Sequence, residues 1–362
     1  MSKVIVGMSG GVDSAVAALL LKNAGHEVIG VTLRTWLSDT GEEGRCCEME
    51  DARRICEKLN IRYYPLNCRE LFDEKVIKPF IDAYLDGLTP NPCIECNRYI
   101  KWERMLYYAD VMEADFIATG HYSTIVRLPN GRYSVKKARY TAKDQTYMLY
   151  KLSQEQLSRT LMPLGDFSKE EVRDMAAASG LGVENKPDSQ ELCFVIDGDY
   201  ADYIEKHTER SIPGTGAFID KDGKVRGEHK GFIHYTIGQR KGLGIAAEAP
   251  LYVIDKDIEK NVVYLGAEED LYADTLIADE VNWMSVEKLD RPKAVRAKTR
   301  YRQPEQKATV YPLPDGRIKV IFNEPQRAIT VGQAVVMYEE DVVVGGGRIA
   351  EVIGQAPKPE VQ

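Results

Sequence analysis

A glycine-rich loop near the N-terminus constrains the fold of this chain more than any other feature of its sequence. The loop, Ser9-Gly10-Gly11-Val12-Asp13-Ser14, follows an apolar run at 4–6 and leads into a helical pattern over 14–23. In α/β folds, the turn from the first strand into the first helix is where phosphate groups meet a helix N-terminus. Glycines there let the backbone approach an anion closely. The loop therefore predicts a nucleotide-binding α/β domain, and a glycine-rich turn without a ligand is the alternative.

The remainder of the first 205 residues alternates short apolar runs with amphipathic helical patterns. This alternation is typical of a parallel sheet covered by helices. A turn signal at Asn130-Gly131 predicts a hairpin inserted between 124–128 and 133–137. The predicted strands are 4–6, 28–33, 61–66 and 116–119, and the predicted helices are 14–23, 48–59, 71–85, 101–112, 154–161 and 169–179.

From about residue 212 the sequence changes to β-branched and aromatic runs separated by turn signals such as Asp222-Gly223 and Pro314-Asp315-Gly316. Such a pattern is typical of all-β domains. The predicted fold class is α/β, with an N-terminal doubly wound parallel sheet followed by two small all-β domains. We place these domains at 1–205, 212–272 and 273–354, the last being barrel-like. The Pro-rich tail 355–362 is predicted to be disordered.

The composition of the chain indicates its expected cellular location. The 362-residue chain has no uninterrupted apolar stretch of membrane-spanning length and no signal-peptide pattern. Its seven cysteines, an odd number, argue against a secreted disulfide framework. We therefore expect a cytoplasmic protein without a membrane partner. The net charge is −8, but the segment 291–307 carries seven basic residues against Glu305 alone, a local surface suited to nucleic acid.

The glycine-rich loop lacks the lysine of a Walker motif and resembles the SGGxDS loop of the pyrophosphatase-loop ATPases. That resemblance implies cleavage of ATP between its α and β phosphates, which leaves an adenylated substrate. Mg²⁺ would neutralise the pyrophosphate, and Asp13 is the carboxylate placed to hold its water shell. The implied nucleotide contacts are Gly7, Met8, Ser9, Gly10, Gly11, Val12, Asp13, Ser14, Leu33 and Gly120.

Cysteines in two further motifs extend the resemblance. Cys93 and Cys96 lie in Asn91-Pro92-Cys93-Ile94-Glu95-Cys96-Asn97, and Cys193 ends Asp188-Ser189-Gln190-Glu191-Leu192-Cys193. For an isolated cysteine pair, a structural zinc half-site or buried thiols would be the alternative. Together with the loop, these motifs make the chain resemble the tRNA-specific 2-thiouridylases of the MnmA type almost to its C-terminus. Other matching motifs are Ile100-Lys101, Thr119-Gly120-His121-Tyr122, Lys143-Asp144-Gln145 and Cys193-Phe194.

The resemblance implies a fold of the adenine nucleotide alpha hydrolase type and a specific reaction. The wobble uridine of the tRNAs for lysine, glutamate and glutamine would be adenylated and converted to 2-thiouridine, with release of AMP and pyrophosphate. Cys193 would carry a persulfide, and Cys96 would be the nucleophile that releases its sulfur. A cysteine desulfurase, directly or through a relay protein, would supply the sulfur. Cys46, Cys47, Cys56 and Cys68 match no such motif and are interpreted as core or incidental thiols.

A second sulfur route is open at this point. Family members proposed to hold a 4Fe-4S cluster have three cysteines, here Cys93, Cys96 and Cys193, with one iron left to carry sulfide. Many members of the family have Asp where this chain has Cys93. In a persulfide relay Cys93 is dispensable, whereas in a cluster it would be a ligand.

The same resemblance places tRNA against several segments of the chain. Asn91, Pro92 and Cys93 match the pocket for the target base. His121 and the segment Lys143, Asp144 and Gln145 match tRNA contacts, and a satisfied strand end and a solvated charged turn are their alternatives. Arg300, Tyr301 and Gln333 match contacts in the C-terminal domain, where arginine would bind phosphate and tyrosine would stack on a base. A solvated basic strand is the alternative there.

Two other functions remain open from the sequence. Another pyrophosphatase-loop enzyme, such as an amide-forming synthetase or a lysidine-type ligase, would have no need of paired cysteines. A non-catalytic tRNA-binding or sulfur-carrying protein would not release pyrophosphate from ATP, and the intact loop argues against it.

Overall fold

The computed structural model describes residues 1–36, 48–187, 192–195 and 199–354. Predictions made for Cys46, Cys47, the segment 188–191 and the tail 355–362 lie outside the described residues. None of the described helices is both long enough and apolar enough to cross a membrane.

The strands and helices of the described residues follow one another in three regions. The strands are β1 (Lys3–Gly7), β2 (Glu27–Arg34), β3 (Arg62–Asn67), β4 (Phe116–Ala118), β5 (Ser123–Arg127), β6 (Tyr133–Lys137), β7 (Thr160–Leu161), β8 (Gly216–Asp220), β9 (Val225–His229), β10 (Tyr252–Asp257), β11 (Val262–Gly266), β12 (Tyr272–Trp283), β13 (Lys293–Lys298), β14 (Gln306–Pro312), β15 (Ile318–Arg327), β16 (Ala334–Glu339) and β17 (Val342–Ile353). The α-helices are α1 (Val12–Asn23), α2 (Met49–Lys58), α3 (Arg69–Phe72), α4 (Lys78–Leu85), α5 (Pro92–Glu95), α6 (Met105–Val111), α7 (Gln154–Ser158), α8 (Lys169–Ala178) and α9 (Tyr200–His207). Two π-helical segments, Asp73–Ile77 and Cys96–Arg104, join α3 to α4 and α5 to α6.

A parallel sheet of order β3-β2-β1-β4-β7 forms the centre of the N-terminal region. Successive residues of β1 face opposite sides of it. Val4 and Val6 pack into a core with Val16 of α1, whereas Ile5 packs into a second core with Trp102. The alternation follows from the two-residue period of a strand, and it confirms the predicted doubly wound sheet.

The predicted helix over 154–161 is wrong at its end. Helix α7 stops at Ser158, and Thr160–Leu161 forms β7, which pairs with β4. Strand β4 otherwise leaves backbone groups open at the edge of the sheet, and pairing satisfies them better than a further helical turn would. The Nε1–H of Trp102 donates to Thr160 Oγ1 at 2.8 Å and fixes the threonine in this position.

Two further sheets account for the all-β pattern after residue 212. A sheet of order β10-β11-β8-β9 comes first. The strands β12-β15-β14-β13-β16-β17 follow, and pairing between β12 and β17 closes them into an antiparallel barrel. The exact division of the chain at 205, 212 and 272 stays a prediction.

The predicted hairpin is present, but it is part of the barrel sheet. Strand β6 pairs with β17 at Lys136 and Val342, and the Ser134 hydroxyl donates to Val343 O at 2.6 Å. Val135 of β6 lies in one core with barrel residues such as Val343. The N-terminal region and the barrel therefore share a sheet and a core.

Candidate functional site

The glycine-rich loop connects β1 to α1 with a backbone that requires glycine. Gly10 has φ +79°, and a Cβ there would lie 2.8 Å from the carbonyl oxygen of Glu48. The loop is tied internally, since the Ser9 N–H donates to Ser14 Oγ at 3.2 Å and the Ser14 hydroxyl donates to Gly11 O at 3.1 Å. The cap residue Gly11 has no side chain to occupy the N–H groups of the first turn of α1. N–H groups in this position suit an anion, and phosphate binding at the loop stays a prediction.

The other predicted nucleotide contacts lie at the same edge of the sheet. Gly120 follows β4, and a Cβ there would lie 2.7 Å from the carbonyl carbon of Asp13. Leu33 lies near the end of β2 and is half-buried. Met8 continues β1, because its N–H donates to Val31 O at 2.7 Å. Carboxyl ends of parallel strands meet at one edge, so the fold brings these segments together.

The Asp13 carboxylate is bound by two other side chains, those of Lys169 and Tyr122. Lys169 Nζ lies 2.8 and 2.9 Å from its two carboxylate oxygens, and the Tyr122 hydroxyl donates to Oδ1 at 2.7 Å. Within the described ranges, His, Cys, Asp and Glu do not gather in threes that could hold a metal ion. A magnesium ion bound mainly by phosphate oxygens and water needs only one or two carboxylates, so Asp13 fits the predicted role.

A second lysine, which no sequence motif singles out, also contacts the loop. Lys186 Nζ is 3.2 Å from Gly10 O and also binds the carboxylates of Glu48 and Asp51. The hydrogen bond from Lys186 is the main reason that the pKa of Asp51 lies below its usual range. Neither Lys169 nor Lys186 belongs to a motif that local spacing reveals, because each reaches the loop only through tertiary packing.

Cys96 and Cys193 come to the same hydrophobic cluster although they are far apart in the chain. Cys96 begins the π-helical segment after α5, and Cys193 precedes Phe194. Both cysteines are partly exposed, and both pack against a core that includes Phe72 and Phe194. Leu33 packs against this cluster as well. Leu33, at the adenine end of the predicted ATP site, and the two predicted catalytic cysteines therefore border the same hydrophobic core.

Cys93 is exposed on the short helix α5. Burial is the main cause of the raised pKa of Tyr301, and the charges of Asp144 and, to a smaller extent, Cys93 raise it further. The described parts of the chain contain no group of three or more metal ligands. As arranged here, Cys93, Cys96 and Cys193 do not fit the three-cysteine set that a 4Fe-4S cluster requires.

The loop leading into α5 is held by the barrel. The Thr89 N–H donates to Val331 O at 3.0 Å, and Gln333 Nε2 donates to Thr89 O at 2.8 Å. Gly332 has φ +91°, and a Cβ there would lie 2.9 Å from Leu88 Cβ and from Thr89 N. Gln333, predicted to contact tRNA, thus binds the loop in front of the predicted base pocket.

Within the predicted base pocket, the side chains of Asn91 and Pro92 contact other parts of the protein. Asn91 caps α5, because its Oδ1 accepts from the Cys93 N–H at 3.2 Å, while its Nδ2 donates to Met148 Sδ at 3.4 Å. Pro92 is buried. Cys93 is the member of the three that presents its side chain to solvent.

His121 is buried, with Nδ1 2.8 Å from Thr119 Oγ1 and its ring 5.3 Å from that of Trp102. Burial, and secondarily the charge of Lys101, holds the pKa of His121 well below its usual value. This placement favours a satisfied side chain at a strand end, one of the two interpretations that the sequence left open.

The segment 143–145 is partly structural. Asp144 is buried and accepts hydrogen bonds from the Ala138 N–H at 3.3 Å and the Thr146 hydroxyl at 2.6 Å. Gln145 Oε1 accepts from the Tyr122 N–H at 2.9 Å. Lys143 and Gln145 are both partly exposed.

Arg300 and Tyr301 lie in the turn after β13. The Arg300 guanidinium is half-buried and donates to Ile237 O at 3.0 Å and to Thr330 Oγ1 at 2.7 Å. Arg300 therefore links the central sheet to the barrel. The Tyr301 ring lies 5.9 Å from Lys298 Nζ.

Comparisons with known proteins cover the whole chain. The family profile of the tRNA methyl transferase HUP domain matches residues 2–197, that of the tRNA methyl transferase PRC-barrel domain matches 201–267, and that of the aminomethyltransferase beta-barrel domain matches 273–349. The tRNA-specific 2-thiouridylase MnmA of Lachnoclostridium phytofermentans is 52% identical over 357 residues, which cover 96% of this chain and 99% of that protein. The MnmA protein of Clostridioides difficile is 51% identical over 353 residues, 96% of this chain and 98% of that protein. A solved 4-thiouridine synthetase–RNA complex with bound ATP is 20% identical over 57% of this chain and 50% of that chain, with a TM-score of 0.38.

Proposed function

Because the chain belongs to the tRNA-specific 2-thiouridylase family and is a tRNA sulfurtransferase, we propose that it thiolates the wobble uridine of the tRNAs for lysine, glutamate and glutamine through an adenylated intermediate. The observation that supports this proposal best is the position of Leu33. Leu33 lies near the end of β2, where the predicted ATP site would hold the adenine. It packs against the hydrophobic cluster that Cys96 and Cys193 also contact. This shared packing supports adenylation and sulfur transfer in one part of the molecule.

In the proposed first step, the 2-oxygen of the uridine attacks the α-phosphorus of ATP and pyrophosphate leaves. The N–H groups of the first turn of α1, with the hydroxyls of Ser9 and Ser14, bind the phosphates. Mg²⁺ would neutralise charge on the leaving pyrophosphate, and Asp13 would hold it through water. The adenylate turns the uridine oxygen into a good leaving group.

In the second step, the terminal sulfur of a persulfide on Cys193 attacks C2 of the adenylated uridine, and AMP leaves. The Cys96 thiolate then attacks the Sγ of Cys193 and breaks the sulfur–sulfur bond. The sulfur remains on C2 and a Cys96–Cys193 disulfide forms. A dithiol reductant must return two electrons before a cysteine desulfurase or relay protein reloads Cys193.

We also place this chemistry in the cytoplasm, on the grounds of the odd number of cysteines.

The sulfur route is tested by three matched Cys→Ser substitutions. Cys96→Ser and Cys193→Ser should lose thiolation while keeping ATP binding. Cys93→Ser should keep substantial thiolation with a persulfide donor, because its side chain is exposed and stands outside the relay. Mass spectrometry of the oxidised wild type should find the Cys96–Cys193 disulfide. Loss of iron and activity together from anaerobically purified Cys93→Ser would instead establish the 4Fe-4S route.

The rival functions are tested on the wild type. With ATP and unmodified tRNA, the chain should release pyrophosphate, and with a persulfide donor it should form 2-thiouridine at the wobble position. A sulfur carrier or a purely tRNA-binding protein would release no pyrophosphate, and an amide-forming or lysidine-type ligase would leave no sulfur in the tRNA.

A further inference from the structure

Lys151 joins the short helix α5 to the barrel, and the reaction described above does not use it. Its Nζ donates to the carboxylate of Glu95 on α5 and, at 2.9 Å, to that of Glu280 on β12. The Lys151 side chain is only 8% exposed. An ammonium at this depth is costly without partners, so breaking either ion pair is unfavourable. The lysine therefore connects two parts of the molecule that are distant in sequence.

The backbone that carries Lys151 is fixed on the barrel. Asn282 Nδ2 donates to Tyr150 O at 2.6 Å and to Leu152 O at 3.0 Å, on either side of the lysine. The Tyr150 ring is buried, and it packs so closely on β17 that a Cβ at Gly346 would lie 2.6 Å from Tyr150 Cδ2. This segment therefore keeps its position relative to the barrel.

An irregularity in β12 presents Glu280 to the lysine. Glu280 has φ +46°, which is unfavourable for a residue other than glycine, and the pairing of β12 with β17 shifts register between Asp279 and Asn282. Arg348 Nη1 lies 3.1 Å from Glu280 Oε1, while the same guanidinium binds both oxygens of Asp279 at 2.8 and 3.0 Å. The barrel thus holds the Glu280 carboxylate in place at a cost in backbone energy.

The other end of the connection adjoins the cysteine proposed to release the sulfur. Glu95 is the last residue of α5, and Cys96 follows it as the first residue of the π-helical segment. π-Helical backbone is rare in proteins, and it occurs often at functional sites. An ion pair at this junction fixes the position from which Cys96 projects.

We propose that Lys151 is a positioning residue for sulfur transfer, because it holds Cys96 in register with the barrel that carries the predicted tRNA contacts. The inference deepens the proposed function and rests on it, since it requires Cys96 to act on a uridine of bound tRNA. The loop in front of the base pocket is held separately, by the bond from Gln333 to Thr89. Loss of Lys151 should therefore disturb sulfur transfer more than adenylation.

The test compares pyrophosphate release with 2-thiouridine formation by Lys151→Met, in a single turnover with ATP, unmodified tRNA and enzyme preloaded with persulfide. The rate of thiolation should fall by about 10- to 100-fold, the range expected when a reacting group is displaced by about 1 Å. Pyrophosphate release and tRNA affinity should stay near the wild-type values. Lys151→Arg, which can keep both ion pairs, should recover most of the loss. Glu95→Gln, which leaves Lys151 paired with Glu280, should show the same selective loss and covers the case in which Lys151→Met folds poorly.

Lys137→Met is the matched control. Lys137 Nζ lies 2.8 Å from Glu305 Oε2, and the two side chains are 13% and 11% exposed. This ion pair is similarly buried, but it joins the hairpin to the barrel instead of α5. The control should show no selective loss of thiolation. Equal losses of pyrophosphate release and thiolation in Lys151→Met would overturn the inference, as would unchanged thiolation.

Amide hydrogen exchange measures the position of α5 directly. In Lys151→Met, exchange in the segment 91–98 should be faster than in the wild type, whereas exchange in the loop 9–14 should not change. Faster exchange in both segments would show a general loss of stability and would contradict a positioning role. A wild type that binds ATP and tRNA but forms no 2-thiouridine would overturn the proposed function and this inference together.

Discussion

The loop at 9–14 and the loop at 88–93 both lead into a helix, but different parts of the chain hold them. The first is fixed by its own strand and helix and by Gly120. The second is fixed by the barrel, through the bond from Gln333 to Thr89 across 244 residues of sequence. In the proposed enzyme, the site for ATP is therefore complete within the N-terminal region, whereas the site for the base depends on a distant domain. Substitutions in the first loop should therefore affect the chemical step, whereas substitutions in the second loop should affect how the base is positioned.

The largest effect is expected at the first loop. Asp13→Ala should lower pyrophosphate release and thiolation by about 10³-fold, since it removes the carboxylate proposed to hold the magnesium ion that would neutralise the leaving pyrophosphate. tRNA binding, measured by filter binding, should stay near the wild-type level. Asp110→Ala is the control, because Asp110 is 65% exposed and pairs with Arg159 on the surface. Wild-type turnover in Asp13→Ala would refute the assignment of the loop.

The next effect is expected where the barrel contacts the second loop. Gly332→Ala should lower the free energy of unfolding by about 2–4 kcal/mol, because the new Cβ combines positive-φ strain with overpacking against Leu88 and Thr89. Thiolation should fall as the base pocket shifts, while ATP affinity should not. Gly316→Ala is the matched control: its φ is similar, +84°, with no atom within 4 Å. Equal effects of the two substitutions would show that contact with the loop is unimportant.

Arg300 and Arg302 distinguish a structural arginine from an RNA contact. Arg300→Ala should lower the free energy of unfolding by about 1–3 kcal/mol, because Ile237 O and the Thr330 hydroxyl lose their donor. Exposed Arg302→Ala should leave stability nearly unchanged and reduce the slope of log affinity for tRNA against log salt by about 1. A reduced slope in Arg300→Ala would support the direct tRNA contact that the family resemblance implies.

The smallest effect concerns pH. Below about pH 6.5, the ordinary pKa of histidine, the unfolded chain protonates at His121 while the folded chain does not. The free energy of unfolding should therefore fall with decreasing pH, by up to about 1.4 kcal/mol per pH unit from this residue. His121→Gln should flatten the dependence between pH 6.5 and 5, as followed by denaturant unfolding of the two proteins. His229, whose pKa burial also lowers, should supply part of what remains.

Local signals explain which features the sequence predicts well. The first strand, the glycine-rich turn and α1 are determined by neighbouring residues, so their positions follow from apolar runs and glycines. Thr160–Leu161 has no such signal, since a two-residue strand exists only because β4 offers an open edge. The contact of Lys169 with Asp13 has no local signal either, because the two residues are 156 positions apart in the sequence. Arg300 belongs to a basic run, and only the packed structure turns its guanidinium inward.

The cysteine pair lies between these extremes. Motif resemblance selects Cys96 and Cys193, but no property of either segment predicts that both side chains pack on one cluster. Both cysteines pack on this cluster because Phe194 lies in the same core as Phe72. Phe72 belongs to a part of the chain that precedes both cysteines. Cys93 shows the opposite: its spacing from Cys96 suggests a shared ligand set, yet α5 presents it on the exposed side.

The sheet shared by the hairpin and the barrel has a consequence for how the chain is made. Ser134 and its partner Val343 are 209 residues apart. At about 5–20 residues per second, β6 leaves the ribosome roughly 10–40 seconds before β17 does. During that interval one edge of the hairpin and the core face around Val135 have no partner, a state open to chaperone binding or aggregation. Chains that stop before β17 should therefore be cleared as unfinished protein.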